Sequence, residues 1–222
     1  MHPPSRRWRI AAAAAVAVAL LLGWQSVAGA VETFVYAPPE REPKGERTRY
    51  VDEQPDIVLQ EIWTFLEEQG LSIETIDPQQ RLVVARYSGD PRAYVDCGRV
   101  ELQVDGKPTE PPRTYSANKP EIRSSRTIGG KRYGLLRRLI LDARLVIRVE
   151  PRGKGARVRS AATFVASLQL ERLRKGGVPD ELVRREVVSF RSYEVGRFAK
   201  GTRCVSNGKL EVLPLQRFPR SS

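Results

Sequence analysis

Apolar and polar residues follow a helical period along one stretch of the chain and alternate along several others. Over 56–69, Val58, Ile62, Phe65, Leu66 and Gln69 recur at i, i+4, i+7, i+8 and i+11, which is one face of a helix. Pro55 and Asp56 are start signals, and Gly70 takes the position after the end. Leu59 and Trp63 widen the stripe. The pattern places Phe65 in the core and Trp63 at its edge.

Residues 71–76 and 81–87 read as a hairpin about a turn at 77–80, and 99–104 alternates after a second turn at 88–91. Over 137–150 the odd positions Leu139, Leu141, Ala143, Leu145, Ile147 and Val149 are apolar, with Arg138, Asp142, Arg144, Arg148 and Glu150 between them. A period of two over that length means one buried and one wet face. After a turn at 151–155, Val158, Ala162, Phe164, Ala166, Leu168 and Leu170 repeat the pattern. A second basic loop at 172–180 leads to either a short helix or a strand start near Glu181, 186–192 reads as the last long strand, and Leu210, Val212 and Leu213 suggest a short closing helix.

These elements predict an α+β fold: two layers, a mostly antiparallel sheet of about five or six strands, one main amphipathic helix packed on it and a short C-terminal helix. The domain spans 55–213. Residues 31–54, with Pro38, Pro39, Pro43 and a mixed charge run, read as a flexible tether in which Val31, Phe34, Val35 and Tyr36 could still pair or dock as a short strand, and 214–222 as a tail. Residues 105–132 break all periodicity and read as one long basic loop carrying Lys107, Arg113, Lys119, Arg123, Arg126, Lys131 and Arg132. A loop of that length inside a compact domain is functional or disordered.

The first 30 residues stand apart from the fold. Arg6, Arg7 and Arg9 precede an apolar run over 10–22, and Ala28-Gly29-Ala30 is a small-x-small cleavage site, the anatomy of a secretory signal peptide. The run is shorter than the ~20 residues a spanning helix needs. Cleavage near Ala30 and a periplasmic location are expected, with no transmembrane span afterwards. The segment takes away three arginines and no acid, leaving 35 basic against 26 acidic residues in the mature chain.

Two cysteines in an exported chain read as one disulfide, Cys97–Cys204. The alternative is a redox or metal-binding thiol, but no CxxC is present and no other soft ligand accompanies them. The cysteines also sit in two recognisable stretches. Tyr94-Val95-Asp96-Cys97-Gly98, preceded by Tyr87-Ser88-Gly89-Asp90-Pro91, and Cys204-x-x-x-Gly208-x-Leu210-Glu211 resemble a group of uncharacterised proteobacterial periplasmic envelope proteins. The layout over 56–104 and 137–213 is similar, more distantly, to the helix-on-sheet domains of the outer-membrane assembly lipoprotein BamC, although the acylated Cys of a lipoprotein is missing. The resemblance implies a non-catalytic envelope domain and carries over no catalytic residue.

The single His is His2, so a Ser-His-Asp triad, a Cys-His dyad or a His-bearing zinc site has no histidine in the folded body. Glycine-rich nucleotide loops, a GxSxG elbow, HExxH and an EF-hand loop do not occur. Asp90, Asp96 and Glu101 are the nearest approach to clustered carboxylates and read as turn and loop residues. No enzyme, cofactor or metal is expected. The formal charge of +12 is the strong partner signal. It points to a structural or assembly-accessory domain binding another envelope protein. The alternative is a binder of anionic lipid, lipopolysaccharide or cell-wall polymer through the basic loops. Arg113, Lys119, Arg123, Arg126, Lys131 and Arg132 are the candidate partner-binding residues. Only Tyr115 and Tyr133 interleave with them, which gives no support to base stacking, and no nucleic acid is expected.

Overall fold

A computed structural model describes residues 32–43, 45–104, 113–128 and 131–218. The expected leader, 1–30, lies outside the described residues, as do 105–112 and 129–130 of the expected basic loop.

Two long antiparallel strands form a spine. β9 (Lys131–Arg152) pairs with β10 (Gly155–Leu173) from Arg152 opposite Gly155 to Gly134 opposite Leu173. At ~3.3 Å per residue, β9 reaches roughly 70 Å. Shorter strands line each outer edge in pairs. Along β9 lie β4 (Leu82–Gly89), opposite 141–148, and β8 (Glu121–Ile128), opposite 131–138. Along β10 lie β2 (Arg47–Val51), opposite 156–160, and β11 (Pro179–Arg191), opposite 163–173. β3 (Ser72–Asp77) pairs outside β4 and completes a seven-stranded antiparallel sheet.

Two small sheets accompany it. One has β1 (Glu32–Ala37), β6 (Arg99–Val104) and β7 (Arg113–Ser116) in the order β1-β6-β7. The other has β5 (Val95–Asp96), β12 (Gly196–Arg197) and β13 (Arg203–Ser206) in the order β12-β13-β5. The helices are α1 (Pro55–Glu68) and the single turn α2 (Lys209–Val212), with 3-10 turns at Pro91–Ala93 and Leu213–Leu215.

The alternation fixes the inner face. Leu139, Leu141, Ala143, Leu145, Ile147 and Val149 are all buried, together with Val158, Ala162, Phe164 and Ala166 of β10. The Phe164 ring stacks on Phe190 of β11 at 5.3 Å between centroids. α1 lays Pro55, Val58, Leu59, Ile62 and Leu66 on this core. Gly70 follows the helix at φ +77, and the Leu71 amide donates to the Leu66 carbonyl, so the turn that ends α1 needs the left-handed freedom of glycine.

The α+β sheet expectation stands in its coarse form, and several details are corrected. The main sheet has seven strands and is joined by two smaller sheets, where five or six strands in all are expected from the pattern. The helical part is two short helices. The layer opposite the main sheet is therefore shared between α1, the C-terminal segment and the small sheets. All of them contribute to one core, in which Ile62, Leu215, Phe218, Val95 and Ala117 are buried. Residues 31–54 hold β1 and β2, and Arg49 of β2 donates to the Leu215 carbonyl and, at 2.7 Å, to that of Phe218. The expected tail at 214–222 thus holds Pro214, Leu215 and Phe218 buried. Within 105–132, β7 and β8 take the place of the expected loop over 113–116 and 121–128, and the expected loop at 172–180 is shortened by β10 and β11 to a turn. Such strands need no apolar period of their own, because a neighbouring strand satisfies their backbone groups.

Phe65 is half-buried, as is Trp63. At ~100° per residue, the stripe centred between Val58 and Leu59 leaves Phe65 and Trp63 roughly 80° to either side. Both flank the core, whose stripe is centred on Ile62 and includes Leu59 among its buried residues.

Candidate functional site

The two cysteines meet where the small sheets join. Cys97 and Cys204 are bonded, fully buried and 107 residues apart in sequence. The backbone around them is held from β1. The Tyr36 hydroxyl lies 3.1 Å from the carbonyl oxygens of both Cys97 and Arg203, and it accepts from the Arg203 amide at 2.8 Å. Gly98 sits at φ +76, where a Cβ would fall 2.2 Å from the Ala37 carbonyl oxygen, so β1 and the cysteine loop approach as closely as they do only because residue 98 is glycine. Beneath this junction, Arg137 continues the inward row of β9 and donates to the Ala117 carbonyl at 2.8 Å. Burial lowers its guanidinium to about 10. Burial likewise raises the Tyr36 hydroxyl.

The residues of the second resemblance motif pack beside the bridge. Glu211 is fully buried, and its Oε1 accepts from the Ser206 hydroxyl at 2.7 Å. The Ser160 hydroxyl of β10 donates to the Glu211 carbonyl. These bonds tie α2 to the spine.

The carboxylates noted in the sequence have structural partners. Asp90 accepts from the Arg92 amide and is gripped by the Arg92 guanidinium, which holds its carboxyl below the ordinary range. Asp96 accepts from the Gly98 amide at 2.8 Å. Among the described residues, no group of three or more His, Cys, Asp or Glu side chains is placed to hold a metal ion.

The six basic candidates are spread along a meander. Lys119 lies in the turn before β8, exposed, with its ammonium 5.8 Å from the centre of the Tyr115 ring. Arg123 is exposed on β8 and donates to the Gly177 carbonyl at 3.1 Å. Register places Arg126 opposite Tyr133, Arg132 opposite Thr127 and Lys131 opposite Ile128, so Arg126, Lys131 and Arg132 share one hairpin end. Arg113 begins β7. The side chains of Arg113, Arg126 and Arg132 lie outside the described residues. The eight residues of β8, roughly 27 Å in length, separate Lys119 from the hairpin end. The structure therefore gathers three of the six and keeps Lys119 apart.

A denser basic array lies on the outer face of the main sheet. Arg86, Arg144, Thr163 and Arg191 oppose one another in one row across β4, β9, β10 and β11. Four residues along, Leu82, Arg148, Arg159 and Thr48 form another row, and beyond it Glu150, Arg157 and Tyr50 a third. Arg86 and Arg144 are 58% and 56% exposed although Glu74 bridges them, at 3.6 and 3.0 Å. Arg157 donates to Glu150 and keeps that carboxyl below the usual range. Between the first two rows lies Val84, which is 2% exposed. Planar guanidinium groups in fixed rows suit carboxylate or phosphate groups, which they can hold through two parallel bonds.

The alternation over 137–150 places Arg144 and Arg148 on the wet face but shows no array. Arg86 and Arg191 come from distant strands, and only the register aligns them. No protein-family model, curated protein or solved structure matches the chain.

Proposed function

We propose that the chain is a non-catalytic domain of the cell envelope that docks an acidic surface of another envelope component on the outer face of its main sheet. The observation that carries this reading is the row Arg86–Arg144–Thr163–Arg191, three arginines set in register across four strands of the sheet. The apolar leader over 10–22, the bridged cysteines and the likeness of the two cysteine stretches to periplasmic envelope proteins support export and a periplasmic location. No helix among the described residues is long and apolar enough to cross a membrane.

Anionic lipid, lipopolysaccharide or cell-wall polymer is the alternative partner, held through the basic hairpin end of β8 and β9, where Lys131 is exposed. Fluid or flexible polyanions do not need guanidinium groups in register, whereas a folded acidic surface does, and this favours a protein partner. The test is association of the full chain with envelope fractions, and separately with vesicles of phosphatidylcholine with and without phosphatidylglycerol. The docking reading expects salt-sensitive association with the envelope fraction that Arg86→Gln/Arg144→Gln reduces, and weak vesicle binding. Equal binding of the variant refutes the face as the site. Strong binding to phosphatidylglycerol vesicles alone establishes the lipid alternative.

A further inference from the structure

β11 is an outer strand, and among the described residues nothing pairs with its far edge. Val178, Leu182, Val183 and Val187, on it or just before it, are each about half exposed. Among them runs Asp180-Glu181-Leu182-Val183-Arg184-Arg185: two acids, two apolar residues, two bases. Against a second copy running in the opposite direction this order complements itself. Asp180 meets Arg185, Glu181 meets Arg184, and Leu182 meets Val183.

Residues directly opposed in an antiparallel pair project from the same face of the sheet. In an unbroken strand Glu181 and Arg184, three apart, would project from opposite faces, and two-fold pairing in this register would be barred. A bulge at Val183 removes the bar. Leu170 of β10 opposes Arg184, Glu171 opposes Leu182 and Arg172 opposes Glu181, leaving Val183 as the extra residue. Leu170 and Arg172 share a face, so Arg184 and Glu181 share it too. Gln169 opposes Arg185, which places Arg185 and Leu182 together on the other face. Asp180 is the extra residue of a second irregularity, beside Pro179, whose partner Leu173 is on that same other face. Glu181 and Arg184 already pair within the chain, with Arg172 and Glu186. Asp180 and Arg185 are exposed and make no ion pair among the described residues.

We propose that two copies of the chain associate through residues 180–185 of β11, antiparallel, about a two-fold axis between Leu182 and Val183. Bulges and charges on an edge strand normally discourage pairing with arbitrary strands. Here they select one partner, the same segment turned around. The axis stands perpendicular to the sheet, so the outer faces of both copies look to the same side. The inference does not depend on what those faces bind.

Sedimentation velocity of the full chain tests it. A dimer is expected at about 0.1 M salt and should weaken at about 1 M, where screening acts over ~3 Å. Asp180→Lys/Glu181→Lys and Arg184→Glu/Arg185→Glu should each weaken self-association by at least about tenfold. An equimolar mixture of the two should dimerise again, because every opposed pair regains opposite signs. Circular dichroism checks that both variants fold. A chain that stays monomeric at all concentrations overturns the proposal, as do folded variants that dimerise like the parent or whose mixture stays monomeric. If a variant does not fold, the salt series on the unmodified chain decides, and a dimer indifferent to salt contradicts the proposal.

Discussion

The Tyr36 hydroxyl lies 3.1 Å from the Cys97 carbonyl oxygen, so the edge strand β1 is fastened to the backbone of the disulfide through one side chain. The same hydroxyl accepts from the Arg203 amide, on the strand of the second cysteine. Replacing Tyr36 by Phe keeps the ring and removes these bonds. Denaturant unfolding of the oxidised Tyr36→Phe variant should show a loss of about 1–3 kcal/mol. A neutral result would mean that water replaces the hydroxyl without cost.

The bridge closes a sequence separation of 107 residues. Cys97→Ser/Cys204→Ser should lower unfolding stability by about 2–5 kcal/mol. Thiol labelling of the native, unreduced chain should find no reactive cysteine. Labelling of both residues at full stability would overturn the structural role of the bridge.

Leu59 is 3% exposed and Phe65 is half-buried beside Arg217 and Glu61. Leu59→Ala should cost about 2–5 kcal/mol in chemical unfolding. Phe65→Ala should cost less than Leu59→Ala despite removing a larger side chain. The reverse order would return Phe65 to the core.

The strong alternation over 137–150 and 158–170 made the spine of the sheet legible, because burial on one face imposes a period of two on any strand long enough to show it. What escaped were strands whose apolar content is low. β8, Glu-Ile-Arg-Ser-Ser-Arg-Thr-Ile, carries two isoleucines in eight residues and gains its place by pairing with β9. β2 was hidden in a charge run, and its inward Arg49 serves the C-terminal carbonyls instead of the apolar core. The basic candidates had the same fate. Charge density within 105–132 is visible in one dimension, whereas the alignment of Arg86, Arg144 and Arg191 exists only once three registers are set. The cysteine pairing was legible because two cysteines allow one connectivity.

Burial raises the hydroxyls of Tyr36, Tyr87 and Tyr94 above the usual value near 10. A group raised in the folded state contributes stability that is complete below its unfolded value and is lost as pH climbs through the folded one. Tyrosine-linked stability should therefore fall above about pH 10. Arg137 acts in the opposite sense. Its guanidinium is lowered to about 10, so the native state is relieved of a buried charge as pH passes that value. In a titration followed by phenolate absorbance, Tyr36, Tyr87 and Tyr94 should ionise late. Seven equivalent tyrosines would contradict the packing around the disulfide junction.

The proposed docking places binding on the outer sheet face and not on the 105–132 segment. The most direct measurement compares two folded charge variants in one salt-controlled envelope-binding assay. Arg86→Gln/Arg144→Gln alters the face, and Lys119→Gln/Arg123→Gln alters the meander. If the face is the site, the face variant should lose at least about tenfold in affinity while the meander variant binds within about twofold of the parent, since charges outside the contact contribute little to it. Loss of affinity in the meander variant with the face variant unchanged would contradict the proposed docking.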